Sequence, residues 1–210
     1  MIRVDLHVHS SASFDCTVEP EQVAARCRRL GLSPVFLTDH NSISAAVRLQ
    51  SSERVVVGEE VMTTAGELIG FFLTEQVPAG LPPKEAALRI KSQGGLVYLE
   101  HPYDPFRRHL DEGSIEAIAD LIDIVEVFNG RSDEKANRRA EDLCGALGVA
   151  PGAGSDAHST SELGSVYVEM EDFAGAEDFL LNLHRGRIVK RRAKLLLMVE
   201  AKLGPKIRRR

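Results

Sequence analysis

Asp5-Leu6-His7-Val8-His9 closes the first apolar run of the chain. In an extended strand, side chains two apart share a face, so His7 and His9 can converge on one ion while Leu6 and Val8 face the other way. One pair is weak on its own. It gains force because Thr38-Asp39-His40, Gly58-Glu59-Glu60, Glu100-His101-Pro102 and Gly154-Ser155-Asp156-Ala157-His158 follow in order, each just after a short apolar stretch. A parallel α/β barrel gathers the C-terminal ends of its strands on one rim, where such proteins place their chemistry. The pattern therefore predicts a multinuclear metal site on the rim of an α/β barrel.

The rest of the chain fits that frame. Apolar, β-rich runs at residues 2–6, 35–37, 55–57, 96–99, 124–128 and 149–150 alternate with helical patterns at 20–30, 44–49, 83–93, 114–121, 134–147 and 176–183. Strand then helix, repeated, is the signature of a parallel sheet with outer helices. Gly31, Gly94, Gly148 and Gly186 follow predicted helices, as C-terminal caps do. Residues 67–73 follow Gly66 too closely for a crossover helix, so 56–62 and 68–73 are expected to form an antiparallel hairpin. The barrel should be irregular, with 166–170 as a late strand and no internal repeat or linker.

The 210 residues, 43% hydrophobic, can bury one sizeable core. A single domain is expected, with barrel and motifs over about 1–190 and a basic tail over about 190–210. No apolar run approaches the roughly 20 residues of a membrane span, and an apolar strand begins at Ile2, so a cytoplasmic protein is expected. Three cysteines, Cys16, Cys27 and Cys144, have no CxxC spacing, which argues against a disulfide framework or an all-cysteine zinc site. Cys16, near the first motif, is either loop packing or a soft ligand. The net charge of −5 hides an asymmetry: from His184 to Arg210 there are 11 Lys plus Arg and one acid, Glu200. Such a tail either solubilises the chain, with 195–199 packed against the barrel, or contacts a nucleic-acid backbone.

Histidine suits Zn, Mn and Fe, while carboxylates can bridge two cations, so a mixed set favours a cluster over one structural zinc. The ordered motifs DLHVHS, TDHNSI, GEE, EHP and GSDAH resemble those of the polymerase and histidinol phosphatase (PHP) family of metal-dependent phosphoesterases. That resemblance, running from Asp5 to His158, implies a distorted (βα)7 TIM-like barrel with two or three divalent ions, commonly Mn, Zn or Fe. It implies that His7, His9, a bridging Glu60 and Asp156 hold the first ion, and that His101 shares Glu60 with the second. His40, His158 and Asp15 would hold a third. Glu59 should be structural, although a one-residue slip would exchange it with Glu60.

The match departs at one place. Histidinol-phosphatase-like members supply a further His after the EHP position, where this chain reads Asp123-Ile124-Val125-Glu126-Val127-Phe128-Asn129. Asn129 is the expected occupant, as a metal or substrate contact, and this also resembles the branch acting on nucleotides or oligonucleotides. Alternation aims Glu126 with Phe128 and away from Asn129, so Glu126 reads as buried and hydrogen-bonded. Asp5 and Asp39 are expected to orient the imidazoles. Arg107 and Arg108, in a loop with His109, and Arg131 are candidate phosphate ligands, since guanidinium binds phosphate in a bidentate fork. His184 lies at a helix end.

The expected chemistry is attack on phosphorus by a water acidified between the ions, with no side-chain nucleophile; Ser10, Ser11 and Ser155 lack a free His and acid partner. The expected substrate is a nucleotide or short oligonucleotide. Histidinol-phosphatase-like hydrolysis of a small phosphomonoester is the alternative, and a non-catalytic metal-loaded binding module the second.

Overall fold

The computed structural model describes residues 1–190. The apolar stretch 195–199 and the basic run 202–210 lie outside the described residues. In chain order the elements are β1 (Ile2–Val4), α1 (Pro20–Leu30), β2 (Val35–Leu37), α2 (Ser44–Leu49), β3 (Val55–Thr63), β4 (Gly66–Phe71), α3 (Pro83–Ser92), β5 (Leu96–Leu99), α4 (Glu112–Glu116), β6 (Ile124–Asn129), α5 (Glu134–Leu147), β7 (Ala150–Gly154), β8 (Val166–Met170), α6 (Ala176–Leu183) and β9 (Arg187–Lys190).

Local chemistry sets the helix ends. Pro20 opens α1 with its φ already helical, and Gly31 closes it at φ 71°, its N–H donating to the carbonyls of Cys27 and Arg28. Pro20, Val23, Ala24 and Cys27 recur on one face and are buried. Asp133 caps α5 by accepting from Ala136 N, and Gly148 ends it at φ 68°. Asp111 does the same for α4 through Ser114 N. That cap starts the helix two residues before the expected 114, and it ends at Glu116.

Six strands form a curled mixed sheet, in the order β2-β3-β4-β5-β6-β7. The pairs β2–β3, β5–β6 and β6–β7 are parallel, while β4 runs antiparallel to both neighbours, the expected hairpin turning between Thr63 and Gly66. A separate antiparallel sheet, β1-β8-β9, contains the late strand. A ring of seven βα units is not among these pairings; what is present is an α/β half-barrel with an antiparallel insertion. Beyond β1 the backbone leaves its own sheet. Leu6 N donates to Ala153 O, His9 N to Ala157 O, and Thr38 N to Val8 O, so residues 6–9 lie between β7 and β2.

Strand alternation divides the apolar residues. Val35, Leu37, Val57, Val97, Leu99 and Val125 pack with α1, α2, α3 and α5. Phe36, Val56, Ile69, Tyr98 and Ile124 face the other way, toward Leu6, β8 and α6. Each fully buried large side chain contributes about 1.5–3 kcal/mol, which fixes the strand ends in space. Among the described residues no helix is long and apolar enough to cross a membrane.

Candidate metal centre

The five motifs meet where the parallel strands end. His7 Nε2 lies 3.1 Å from His9 Nε2, and the two stand 3.2 and 3.1 Å from Glu60 Oε2. Asp156 Oδ1 completes this group at 3.9 Å from His7 Nε2 and 3.5 Å from His9 Nε2. The other oxygen of Glu60, Oε1, is 3.1 Å from His101 Nε2, so one carboxylate faces two imidazole groups. Asp15 Oδ2 sits 3.0 Å from His158 Nε2 and 3.6 Å from His40 Nε2. Among the described residues, four overlapping sets have potential ligand atoms within 4.8 Å of one another: His7, His9, Glu60; His9, Asp15, His40, His158; Glu60, Glu100, His101; and His40, Glu60, Glu67. Cys16 belongs to none of them; burial raises its thiol to about 11, and its Sγ donates to His158 O.

Backbone pairing aligns these residues. His40 forms a parallel bridge with Glu60, and Val8 with Ala157, which extend the β2–β3 pairing and join the first motif to the last. His101 and Asp156 are themselves in positive-φ conformations, at 29° and 53°, and Asn41 beside His40 is at 51°. Residues other than glycine seldom adopt this region.

The hydrogen bonds decide what the centre can hold. Ser13 Oγ donates its one proton to Asp39 Oδ1, so its contact with His9 Nδ1 requires the imidazole to donate. Glu126 Oε1, 3.1 Å from His7 Nδ1, imposes the same tautomer there. Both Nε2 atoms therefore present lone pairs to each other, to Glu60 Oε2 and to Asp156 Oδ1. Acceptors converging at such distances require a cation or a proton, and nitrogen with carboxylate oxygen is the donor set of Zn, Mn or Fe. The proton's preference is visible in the charges. Burial opposes a charged His7, but Glu126, Glu60 and Asp156 outweigh it and hold its pKa well above the ordinary value. Burial and the His158 charge draw His9 down to about 4. Burial would raise Asp156 and Glu60, but neighbouring imidazoles, and Arg107 beside Asp156, hold both below the usual carboxylate range. The residues present fit divalent ions, and binding them should displace protons.

A PHP-domain family model matches residues 5–73, and a PHP-associated model matches 134–188. The uncharacterized protein MJ0417 of Methanocaldococcus jannaschii is 33% identical over 93% of this chain and 85% of its own length. The chain belongs to the PHP family. A second uncharacterized protein of that organism, MJ1587, is 39% identical over 61% of this chain and 82% of its own. Among solved structures, a two-domain Bacteroides vulgatus protein containing a predicted PHP-like metal-dependent phosphoesterase superposes with TM-score 0.70 at 18% identity. The match covers 90% of this chain and 65% of that one. PsfC of Pseudomonas syringae gives 0.73 at 15% identity over 99% of both chains. The lesion-specific endonuclease PfuEndoQ of Pyrococcus furiosus gives 0.66 at 17%, over 89% of this chain and 57% of its own. These likenesses show the PHP fold.

Within this PHP chain, the residues around the ligands differ in part from the sequence expectations. Glu59 faces away from the cluster, its Oε2 accepting from Val77 N, while Glu60 sits at the centre. Asn129 has both of its amide atoms engaged by neighbours. Its Oδ1 accepts from Arg131 N and Ser132 N, and its Nδ2 donates to Glu126 Oε2. The expectation that Glu126 points away from Asn129 fails because the β6–β7 register shifts between Glu126 and Phe128, leaving Val127 as an extra residue and reversing the alternation. Glu126 is fully buried and takes four hydrogen bonds: from His7 Nδ1, Tyr98 OH, His101 N and Asn129 Nδ2. It does for His7 what was expected of Asp5. Asp5 instead accepts from the backbone of His7 and from Ser155 N and Oγ, and burial lifts its pKa to about 7 despite those bonds. Asp39 acts on His9 through Ser13, and also holds Ser10 N and Oγ.

Two of the three arginines line the cleft over the cluster. Arg107 Nη2 is 3.1 Å from Asp156 Oδ2, and Arg107 and Arg108 line one cleft of about 150 Å³ with His40, Glu60, His101, Asp156 and His158. Arg131 lies beside His158, its Nη1 2.7 Å from His158 Nδ1 and its Nε 3.6 Å from Glu162 Oε1. His109 and His184 stand outside the cluster, His184 as the C-cap of α6. Two acids went unread in the sequence. Glu67 lies 3.9 Å from His40 Nδ1, and burial with the Glu60 charge lifts it to about 7. Glu100, inside the EHP motif, is fully buried and accepts from Ile69 N. The signal for Glu67 was its place on β4 opposite Met62, beside the GEE motif.

Proposed function

We propose that this PHP-family protein is a metal-dependent phosphoesterase that hydrolyses a phosphate ester of a nucleotide or short oligonucleotide. The observation that carries the proposal is the convergence of the His7 and His9 lone pairs with Glu60 and Asp156, next to a cleft lined by Arg107 and Arg108. When bound, two or three divalent ions (Mn, Zn or Fe) supply Lewis acidity and water activation. His7, His9 and Asp156 would hold the first; Glu60, through its two oxygens, would share it with a second at His101; Asp15, His40 and His158 would hold a third. Arg107, Arg108 and Arg131 receive the phosphate oxygens and compensate their charge. Ser10 and Ser155 are committed to Asp39 and Asp5, consistent with no serine nucleophile. Residues 1–190 are taken as one PHP domain carrying the whole site.

The fold shared with a lesion-specific endonuclease supports a nucleic-acid or nucleotide substrate. Asn129, bound to Glu126 and to two backbone amides, supplies nothing like the additional histidine of the histidinol-phosphatase reading. The test is a panel of 5′-nucleotides, bisphosphorylated nucleotides, short RNA and histidinol phosphate with Mn²⁺ and full-length protein. Release of phosphate or cleavage of RNA, lost in Glu60→Ala, is expected. Turnover of histidinol phosphate alone would move the assignment to the small phosphomonoester, and metal binding with no turnover would make the protein a binding module.

A further inference from the structure

The cleft over the metal centre is small, about 150 Å³, whereas sites that enclose a drug-sized molecule run to roughly 300–1,000 Å³. A phosphate fits among the ligands; the rest of a substrate must lie on the rim. The chemistry of that rim is unusual. Phe14 and Phe106, 75% and 87% exposed, are the exposed large aromatic side chains among the described residues, and both line this one cleft. Solitary exposed apolar groups are ordinary. Here two phenyl rings line one mouth together with Arg107 and Arg108. Phe14 has one face stacked on the His40 ring, at 4.8 Å and 24°, which leaves its other face to solvent. Phe106 has its backbone N–H bound by Asp104 Oδ1, fixing the loop beneath it, while its ring projects.

We infer that Phe14 and Phe106 form a stacking platform for one unpaired nucleobase whose phosphate enters the metal cleft. The inference rests on the phosphoesterase reading and names its substrate class. Flat π-faces accept any base without hydrogen-bond readout, and a stacked base is worth about 1–3 kcal/mol, a factor of about 5 to 150 at 25 °C. Neither ring has a polar atom, so the platform should select for the presence of a base and discriminate little among bases. A base paired within a duplex has no exposed face to offer, so duplex substrates must unstack first.

The experiment compares adenosine 5′-monophosphate with ribose 5-phosphate, which carries the same ester without the base, using Mn²⁺-loaded full-length protein. Wild type should favour the nucleotide in kcat/KM by about 5- to 150-fold. Phe106→Ala should erase most of that gap and Phe106→Tyr keep it; Phe14→Leu, which retains bulk against His40, should narrow it. Equal efficiency in wild type, or an equal loss on both substrates in Phe106→Ala, overturns the platform while leaving the phosphoesterase intact. If neither ester is hydrolysed, that activity on monoesters fails separately, and calorimetric Kd values for the two compounds decide. A nucleotide preference of at least about 5-fold that Phe106→Ala removes sustains the platform, and equal Kd values overturn it.

Discussion

Replacing Glu126 with Gln should damage both folding and metal loading. The carboxylate accepts from His7 Nδ1 at 3.1 Å, Tyr98 OH at 2.9 Å, His101 N at 2.8 Å and Asn129 Nδ2 at 2.9 Å, in a fully buried place. A glutamine offers one acceptor oxygen; with it on His101 N and Asn129 Nδ2, its NH2 group faces Tyr98 OH, which can turn to accept, and His7 Nδ1, which can accept only in the tautomer that protonates Nε2 and removes its lone pair from the cluster. Trading charge-assisted bonds for neutral ones in this buried place should cost about 1–3 kcal/mol from a total of roughly 5–15. The loss should appear in urea unfolding of the metal-free protein. His7 also loses the acceptor that fixes its tautomer, and comparable losses of an outer partner cost about 10- to 100-fold in metal affinity. Calorimetric titration with Mn²⁺ reads this separately. Glu134→Gln, which breaks an exposed pair with Arg138, is the control and should change stability by less than about 0.5 kcal/mol. A Glu126→Gln protein as stable as that control, with wild-type Mn²⁺ affinity, would refute the assignment of Glu126 as the group that orients His7.

Gly154→Ala should disable the same ligand sterically, because the new Cβ would stand 2.3 Å from His7 Cβ and 2.8 Å from His7 N; elemental analysis should find fewer ions per chain, and unchanged content would contradict it. Glu59→Gln tests pH dependence. Burial lifts Glu59 to about 7, so the folded state binds more protons than the unfolded one between about pH 4.5 and 7 and stability falls as pH rises through that window. Gln should flatten this fall, raising Tm relative to wild type more at pH 8 than at pH 5, and a parallel shift at both would oppose it. Removing residues 202–210 should weaken binding to single-stranded RNA and flatten its log–log salt slope by about 0.7 per lost phosphate contact, with mononucleotide turnover retained; identical slopes would leave the tail a solubilising end.

The sequence carried the fold furthest where two signals coincided. Pro20 with Gly31, and Asp133 with Gly148, bracket helices whose bounds agree with their periodicity. The hairpin at Gly66 followed from the lack of room for a helix. Strand β9 was hidden because Arg187 and Lys190 read as part of a basic run, although Ile188 and Val189 between them pair with β8. At the site, the motif order brought all eight expected ligand residues to one place. Their supports were less legible, since a bulge is a matter of register between strands and one strand's alternation does not reveal it. Hence Glu126 and Asn129 were placed on opposite faces. Asp5 was similarly misread: adjacency to His7 suggested an imidazole partner, whereas the contact is with the backbone and with Ser155, 150 residues away.

The left-handed backbone at His101 and Asp156 has a consequence for the history of such a protein. Each non-glycine residue held there gives up about 1–3 kcal/mol, so the positions that gather the ligands are also positions where a mutation to glycine would make the chain more robust. A lineage screened for heat resistance alone should drift toward glycine at 101 and 156 and lose these side chains from the candidate metal centre before it loses its fold.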